Sequence, residues 1–570
     1  MFKSLFAKLN LNTKSMIKYG SIANLTLFSI AILFGVENIM LIFPITLISI
    51  ALSFENLTVK PLTKIIRLLF SITIIVTIST IASIFSHIGI IINFIAIFSI
   101  AYFLTVRYNP KIYKPFMMIY IFAQASSIHS FNEYFIKILT IFLGVFIAIS
   151  FSLITSLLFK KNILKDIIYH PFMLLSEQLN NLSKNKFDNT IYLNFSKEMR
   201  SLSYTIYKTR YKKFLTTNIG KLYFDMYLIL GKLNILLKDY YKNSNNVTLE
   251  DRLFFKELKV LLDSFLKSID NKDSFYLCIQ TLNKFIVKYE YKNIYNNILS
   301  TLKTLNLTLI KLFNVNFKER NNIYKEWERS DLDKFKTYLK SNFKFGSIRF
   351  NFALRISICL TLTLYIGNMY SIYKFIWVSI TIMSVMQPYY EETISKGKER
   401  LIGNFFGISI IIILLTIFNN NIITIITLIV CLYLTYGFKE YYKLSTFTAI
   451  CSICVSSLNT NLNVITINRI IFILFGILIV LIANKFLFPY KLEDGIKQLL
   501  TKLLNYHYIL SKSYMDKNLN ITVDIILLSS LTLNKLFIRN IEFKNEEITR
   551  LIEYTNKSII LNGYDFLFLK

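Results

Sequence analysis

Apolar residues in this chain gather into long runs separated by short polar breaks. The first set of runs lies near 19–36, 39–53, 66–86, 89–106, 115–128 and 136–159; the second lies near 349–367, 372–387, 400–418, 421–437, 443–458 and 467–489. Runs of roughly 17–22 residues are what a helix needs to cross a bilayer, so the pattern predicts twelve spans in two blocks of six. Between the blocks, 160–345 changes character. LYFDMYLILGKLNILLKDYY and LCIQTLNKFIVKYEY put apolar residues at three- and four-residue spacing. No proline follows Pro171 until Pro388, and the interior glycines are Gly220 and Gly231. That is the pattern of long helices packed side by side in water. The tail at 491–570 reads the same way.

The breaks between spans set the orientation. Lys60, Lys64 and Arg67, then Arg107, Lys111 and Lys114, then Lys396, Lys398 and Arg400, then Lys439 and Lys443 occupy alternate loops. The other loops are short and nearly free of Lys and Arg: VEN at 36–38, HIG at 87–89, FNNN at 418–421 and SSLNTNLN at 456–463. Lys374 is the mild exception. Basic loops stay in the cytoplasm, so the reading is a multi-pass cell-membrane protein with both termini inside and two cytoplasmic helical parts. The first 18 residues, MFKSLFAKLNLNTKSMIK, read as a basic amphipathic segment resting on the membrane surface rather than a cleaved signal.

Composition agrees. Hydrophobic residues make up 54% of the 570 positions and charged residues 17%, and mean hydropathy is +0.48. The net charge of +31 is explained by the loop lysines and arginines; no basic soluble module points to nucleic acid. Cys359, Cys431, Cys451 and Cys454 lie in predicted spans and Cys278 in a helical region. The CSIC at 451–454 is read as packing rather than redox or metal chemistry. There is no phosphate-binding GxxxxGK[ST], HExxH, zinc spacing or GxSxG. The histidines are His87, His129, His170 and His507. Neither an enzyme, a cofactor nor a metal is expected.

The two blocks look like repeats. Lys137 and Gly144 recur as Arg469 and Gly476, both 332 residues later, and Arg67 recurs as Arg400 at 333. Six spans per block is even, so the copies point the same way, with a pathway expected where the halves meet.

In the second block the polar positions concentrate. Arg355 lies within the first span, FALRISICLTL. The second span, FIWVSITIMSVMQP, carries Trp377, Thr381, Gln387 and Pro388. QPYYEETISKGKERLIGNFFG at 387–407 then reads as a charged cytoplasmic turn, with Thr393, Lys396, Lys398 and Arg400, followed by Gly403, Asn404 and Gly407 at the start of the third span. Arg469, Gly476 and Pro489 mark the sixth. Gly403 and Gly407 are spaced for close helix approach. Thr393 is a candidate cap. Arg400 and Lys396 either anchor topology or gather anions at an inner mouth. Arg355, two turns into a span, should face protein or a wet cavity. Trp377 is either an interfacial belt residue or a ring-stacking surface.

Together these motifs (an Arg in the first span, W-x3-T and Q-P in the second, T-x6-R-x2-G-x3-G, and an Arg–Gly last span) resemble the fusaric acid resistance and aromatic acid exporter family. The resemblance covers 346–490. It reaches 19–160 only through FENLTVKPLTKIIRLLFS, which keeps Arg67 but lacks the Trp and both glycines. Asn404 stands where the family usually has Thr. The resemblance implies efflux of aromatic carboxylate anions across the inner membrane, driven by protons, and a related plant branch forms anion channels. It also implies that Arg355, Lys396 and Arg400 supply positive potential and that Trp377, with Tyr373 and Phe375, offers rings for stacking. No mid-membrane Asp or Glu is evident, which leaves proton coupling without a carrier.

The sequence therefore predicts an all-α polytopic protein. Its parts are an N-terminal segment at 1–18, membrane blocks at 19–159 and 346–490, and helical domains at 160–345 and 491–570. The expected partners are the lipid bilayer and a small organic anion, with a homo-oligomer or cytoplasmic protein partner open. A non-transporting scaffold or sensor, and an anion channel, are the alternatives.

Overall fold

The computed structural model describes residues 11–52, 61–104, 112–125, 131–158, 163–208, 216–243, 248–269, 271–314, 322–324, 343, 345–418, 420–457, 462–516, 519–543 and 545–568. Lys60, Arg107, Lys111, His129 and the first ten residues lie outside them. The chain divides into two compact units, one built from 1–158 with 335–495, the other from 159–334 with 496–570.

In the first unit, the leading block comprises α1 (Thr13–Phe34), α2 (Ile42–Leu52), α3 (Pro61–Ile84), α4 (Ser86–Leu104), α5 (Tyr113–Ala125) and α6 (Phe131–Leu158). The second comprises α13 (Ile348–Met369), α14 (Ile376–Val385), α15 (Tyr390–Ile417), α16 (Asn421–Gly437), α17 (Tyr441–Ser457) and α18 (Leu462–Phe486). Large apolar side chains such as Phe70, Ile81, Phe405, Ile413 and Ile471 point outward, the surface that a hydrocarbon solvent requires.

Twelve helices stand where the hydropathy predicts spans, but they are not twelve equal spans. Seven of them are long and apolar enough to cross a membrane. The others are short, and α2 and α14 have only 11 and 10 residues. Ten residues rise roughly 15 Å, half the hydrocarbon thickness. The second and fifth helices of both blocks are among the short ones. Ser371 and Lys374, both with positive φ, make the irregular approach to α14. Hydropathy did not reveal this because it counts apolar residues whatever their backbone does: Ile372 and Tyr373 before α14 and Met386 after it extend the apolar run beyond the helix.

Two further expectations change. The N-terminal segment from Thr13 onward is already α1, begun by the Asn12 side chain accepting from the Ser15 amide at 3.2 Å. The charged stretch after Pro388 is not a turn: it forms the first three turns of α15, with Glu391 and Glu392 at the positive end of the helix dipole. The helix continues through Gly397 because the surrounding residues are good helix formers.

The blocks interlock reciprocally. The first helix of each lies along the fourth of the other, α13 on α4 and α16 on α1, while α14 meets α5. In each block a glycine of the sixth helix takes a side chain from the second. Gly144 faces Ile45, and Gly476 faces Thr381 Cβ and the Val378 carbonyl.

The second unit contains α7 (Ile163–Ser183), α8 (Asn189–Lys208), α9 (Asn218–Asn243), α10 (Leu249–Ser268), α11 (Lys272–Tyr289), α12 (Asn296–Asn314), α19 (Leu492–Met515), α20 (Leu519–Phe543) and α21 (Glu546–Phe568). A two-residue antiparallel ribbon pairs Thr216 with Tyr324 and Thr217 with Ile323. Insert and tail share one core around α9, joined by Lys232–Asp565 at 3.0 Å and Lys557–Asp239 at 2.8 Å. The stretch Ile521–Asn540 within α20 is also long and apolar enough for a membrane. Here it packs on α8 and α21, so its apolar surface is met by protein.

Candidate functional site

The site is organised by the corner between α14 and α15. Proline at 388 has no amide to donate, and α14 ends three residues earlier with Met386 extended. The freed carbonyls need donors, and Arg355 on α13 supplies them. Its Nη2 donates to the Gln387 and Pro388 carbonyls at 2.7 and 3.0 Å, and Nη1 to the Phe488 carbonyl at 3.5 Å. Thr393 does not cap α15. Its hydroxyl accepts from the Gln387 amide at 3.1 Å and donates to the Tyr389 carbonyl at 2.9 Å. The Gln387 side chain turns back to the Met386 carbonyl at 2.6 Å. Asn484 of α18 donates to the Tyr390 carbonyl at 3.1 Å, and the Tyr390 amide to the Tyr490 carbonyl at 2.9 Å. Arg355 thus binds two chain ends together, while the Gln387 side chain folds back on its own segment.

Beyond the corner, α15 and α17 run parallel and very close. Gly403 sits against the Tyr442 carbonyl and the Ser445 side chain, Gly407 against the Thr446 carbonyl at 2.7 Å and Ala449 Cβ at 2.8 Å, all measured to the place a Cβ would occupy. Only glycine permits this approach. Between the two glycines, Asn404 donates to Ser445 Oγ at 3.0 Å and to the Arg400 carbonyl at 2.8 Å. A threonine, shorter, would not span both.

Arg400 stands ten residues into α15, roughly 15 Å from its start. It packs against protein rather than lying free on the surface. It is buried, 6% exposed, and so is Arg469 of α18 at 4%. The two are close enough for their charges to repel. Trp377 of α14 is buried beside Arg469, its ring centroid 4.9 Å from the guanidinium carbon; it is not an interfacial belt residue. Thr381, one turn on, donates to the Trp377 carbonyl at 2.7 Å and seats Gly476. Among the described residues no hydrogen bond or ion pair reaches either guanidinium, and Nε of each is buried without a partner. From 335 to 490 the acidic residues are Glu391, Glu392, Glu399 and Glu440, and Glu399, the neighbour of Arg400 in the chain, accepts from the Ser395 hydroxyl at 3.2 Å.

The remaining candidates scatter. Lys396 is half-buried with its ammonium 5.4 Å from the Tyr441 ring, and Lys398 is exposed. In the first block, Lys137 is buried on α6 and donates to the Ala123 carbonyl at 3.4 Å, matching Arg469 in burial. Arg67 is exposed on α3 and does not match Arg400. The five cysteines are free thiols, all buried. Sequence reasoning missed Ser445 and Asn484, whose roles arise only from packing against α15.

Residues 361–483 match the family described as fusaric acid resistance protein-like. The match includes Trp377, Thr381, Arg400, Asn404 and Arg469 and leaves out Arg355 and the first block. No curated protein and no solved structure matches the chain.

Proposed function

We propose that this chain, whose residues 361–483 form a fusaric acid resistance protein-like domain, is a membrane transporter that moves small organic anions. One observation carries the reading: Arg400 and Arg469 are buried near one another, and among the described residues no carboxylate forms an ion pair with either. Burying an unpaired guanidinium costs several kcal/mol even after relaxation, and a like-charged neighbour adds to that. Such an arrangement persists where an anion completes it. A carboxylate offers each guanidinium a charge-assisted acceptor, and the Trp377 indole beside Arg469 supplies an apolar wall for an aromatic or other ring.

The reciprocal packing of the two blocks supports a parallel repeat, with the short second and fifth helices at corresponding positions near the pathway. Proton coupling through a mid-span carboxylate has no residue to carry it. An anion gradient or passive conduction fits the residues better. The orientation we propose keeps both termini and the second unit in the cytoplasm.

The test is efflux of a panel of aromatic and aliphatic acids from cells producing the wild type, Arg400→Gln or Arg469→Gln at matched membrane levels. Export of at least one acid, lost in both variants, supports the reading. If accumulation of every acid is unchanged by the wild-type protein, a non-transporting scaffold takes its place.

A further inference from the structure

Away from the arginine pair, α3, α4 and α5 enclose an apolar groove of about 470 Å³ that includes Ser71, Ile75, Ile78, Ala96, Ser99 and Phe116. That volume lies in the range of ligand cavities. The groove opens on the outer surface of the membrane unit: Ile74 and Ile95 on its rim are 41% and 59% exposed. Along α4 it runs from Ile92 to Leu104, roughly 18 Å. Its inner end is chemically closed. Tyr120 donates to Asn93 Oδ1 at 2.6 Å, Gln124 Nε2 to the same oxygen at 2.6 Å, and Ser79 to the Tyr120 carbonyl at 2.7 Å. An occupant therefore meets hydrocarbon almost throughout.

The other end is charged. Lys64, Arg67, Ser71, Ile75 and Ile78 follow one another at three- and four-residue spacing, so they form a single stripe on α3. The two cations continue the groove's own line by one and two turns beyond Ser71. Arg67 stands one helical turn before Ser71 of the groove wall, whose hydroxyl donates to the Arg67 carbonyl at 2.9 Å. Arg67 is exposed, and among the described residues its guanidinium has no hydrogen bond or ion pair.

We infer that this groove is a binding site for an anionic phospholipid of the surrounding bilayer. One acyl chain lies between α3, α4 and α5, and the phosphate lies against Arg67 and Lys64. Basic residues bordering an apolar cleft between spanning helices recognise acidic lipid headgroups in this way. The site is separate from the arginine pair, so it stands or falls independently of the transport reading.

The experiment is native mass spectrometry of the purified full-length protein, titrated with phosphatidylglycerol and with phosphatidylcholine of identical acyl chains. The wild type should retain phosphatidylglycerol at a concentration roughly tenfold lower. Lys64→Gln with Arg67→Gln should abolish that preference while leaving phosphatidylcholine binding unchanged. Ala96→Phe, or the milder Ser99→Leu should the first fail to fold, should weaken both lipids by filling the groove. Equal binding of the two lipids by the wild type, a preference surviving the double substitution, or unchanged binding when the groove is filled each overturns the proposal. So does displacement of the bound lipid by inorganic phosphate alone, which would assign the site to a free anion.

Discussion

The guanidinium of Arg469 and the indole of Trp377 lie with charge over ring at 4.9 Å, both buried, although 92 residues separate them in the chain. Because α14 and α18 are held in register by Gly476 against Thr381, the pair is preorganised. A desolvated cation–π contact is worth about 2 kcal/mol. Trp377→Leu should therefore weaken transport of any exported acid by roughly 10-fold or more at low concentration. Trp377→Phe should retain part of it. Initial efflux rates against internal acid concentration, at matched protein levels, check this.

Arg355 should behave quite differently from Arg400 and Arg469. Its loss leaves up to three carbonyls of the α14–α15 and α18 ends without a donor, at about 1–3 kcal/mol for each that stays dry. Arg355→Leu is expected to lower the thermal midpoint of the detergent-solubilised protein by several degrees and to reduce its membrane level. Protein that does fold should still transport. Full folding with transport abolished would make Arg355 a pathway residue instead.

The glycines of α15 divide sharply. A Cβ at Gly407 would lie 2.7 Å from the Thr446 carbonyl, whereas one at Gly397 would have its nearest neighbours, Val385 and Ile477, at 3.7 and 3.8 Å. Gly407→Ala must push α17 away and should destabilise by about 1–3 kcal/mol. Gly397→Ala meets only ordinary contacts and should stabilise by about 0.5–1 kcal/mol through helix propensity. Thermal unfolding of the two variants, side by side, is the measurement.

In the second unit, burial pushes the Asp225 carboxyl up to about 6, against the opposing pull of Lys221 and Lys311. An unfolded aspartate titrates near 3.9. The folded chain therefore holds this proton more tightly, and the contribution favours folding most below about pH 4. It is lost as pH rises from about 4 to 6, at a total of roughly 3 kcal/mol, and the penalty stays constant above. Asp225→Asn removes this dependence. Its thermal midpoint minus that of the wild type should grow from pH 4 to 6 and then level off; a difference independent of pH would contradict the assignment.

Much of the fold was legible in residue order because hydropathy records how often each segment meets water. The positions of the described helices in the first unit and the amphipathic helices of the second follow from that record, as do the glycine spacings at 403 and 407 and the burial shared by Lys137 and Arg469. Other features depend on which helix comes to lie beside which, and no local pattern encodes that. The 387–407 stretch reads as a turn because its charges suggest water, yet it is helix, and Arg400 is covered by neighbouring helices remote in sequence. That Arg355 holds the carbonyls of Gln387, Pro388 and Phe488 was not legible, because these come to it from two other segments. Sequence alone determined that Arg355, Arg400 and Arg469 belong to the apolar segments of the second block. Tertiary structure decided that Arg355 is met by backbone carbonyls while Arg400 and Arg469 are buried near one another, because only packing in three dimensions determines who supplies the partner.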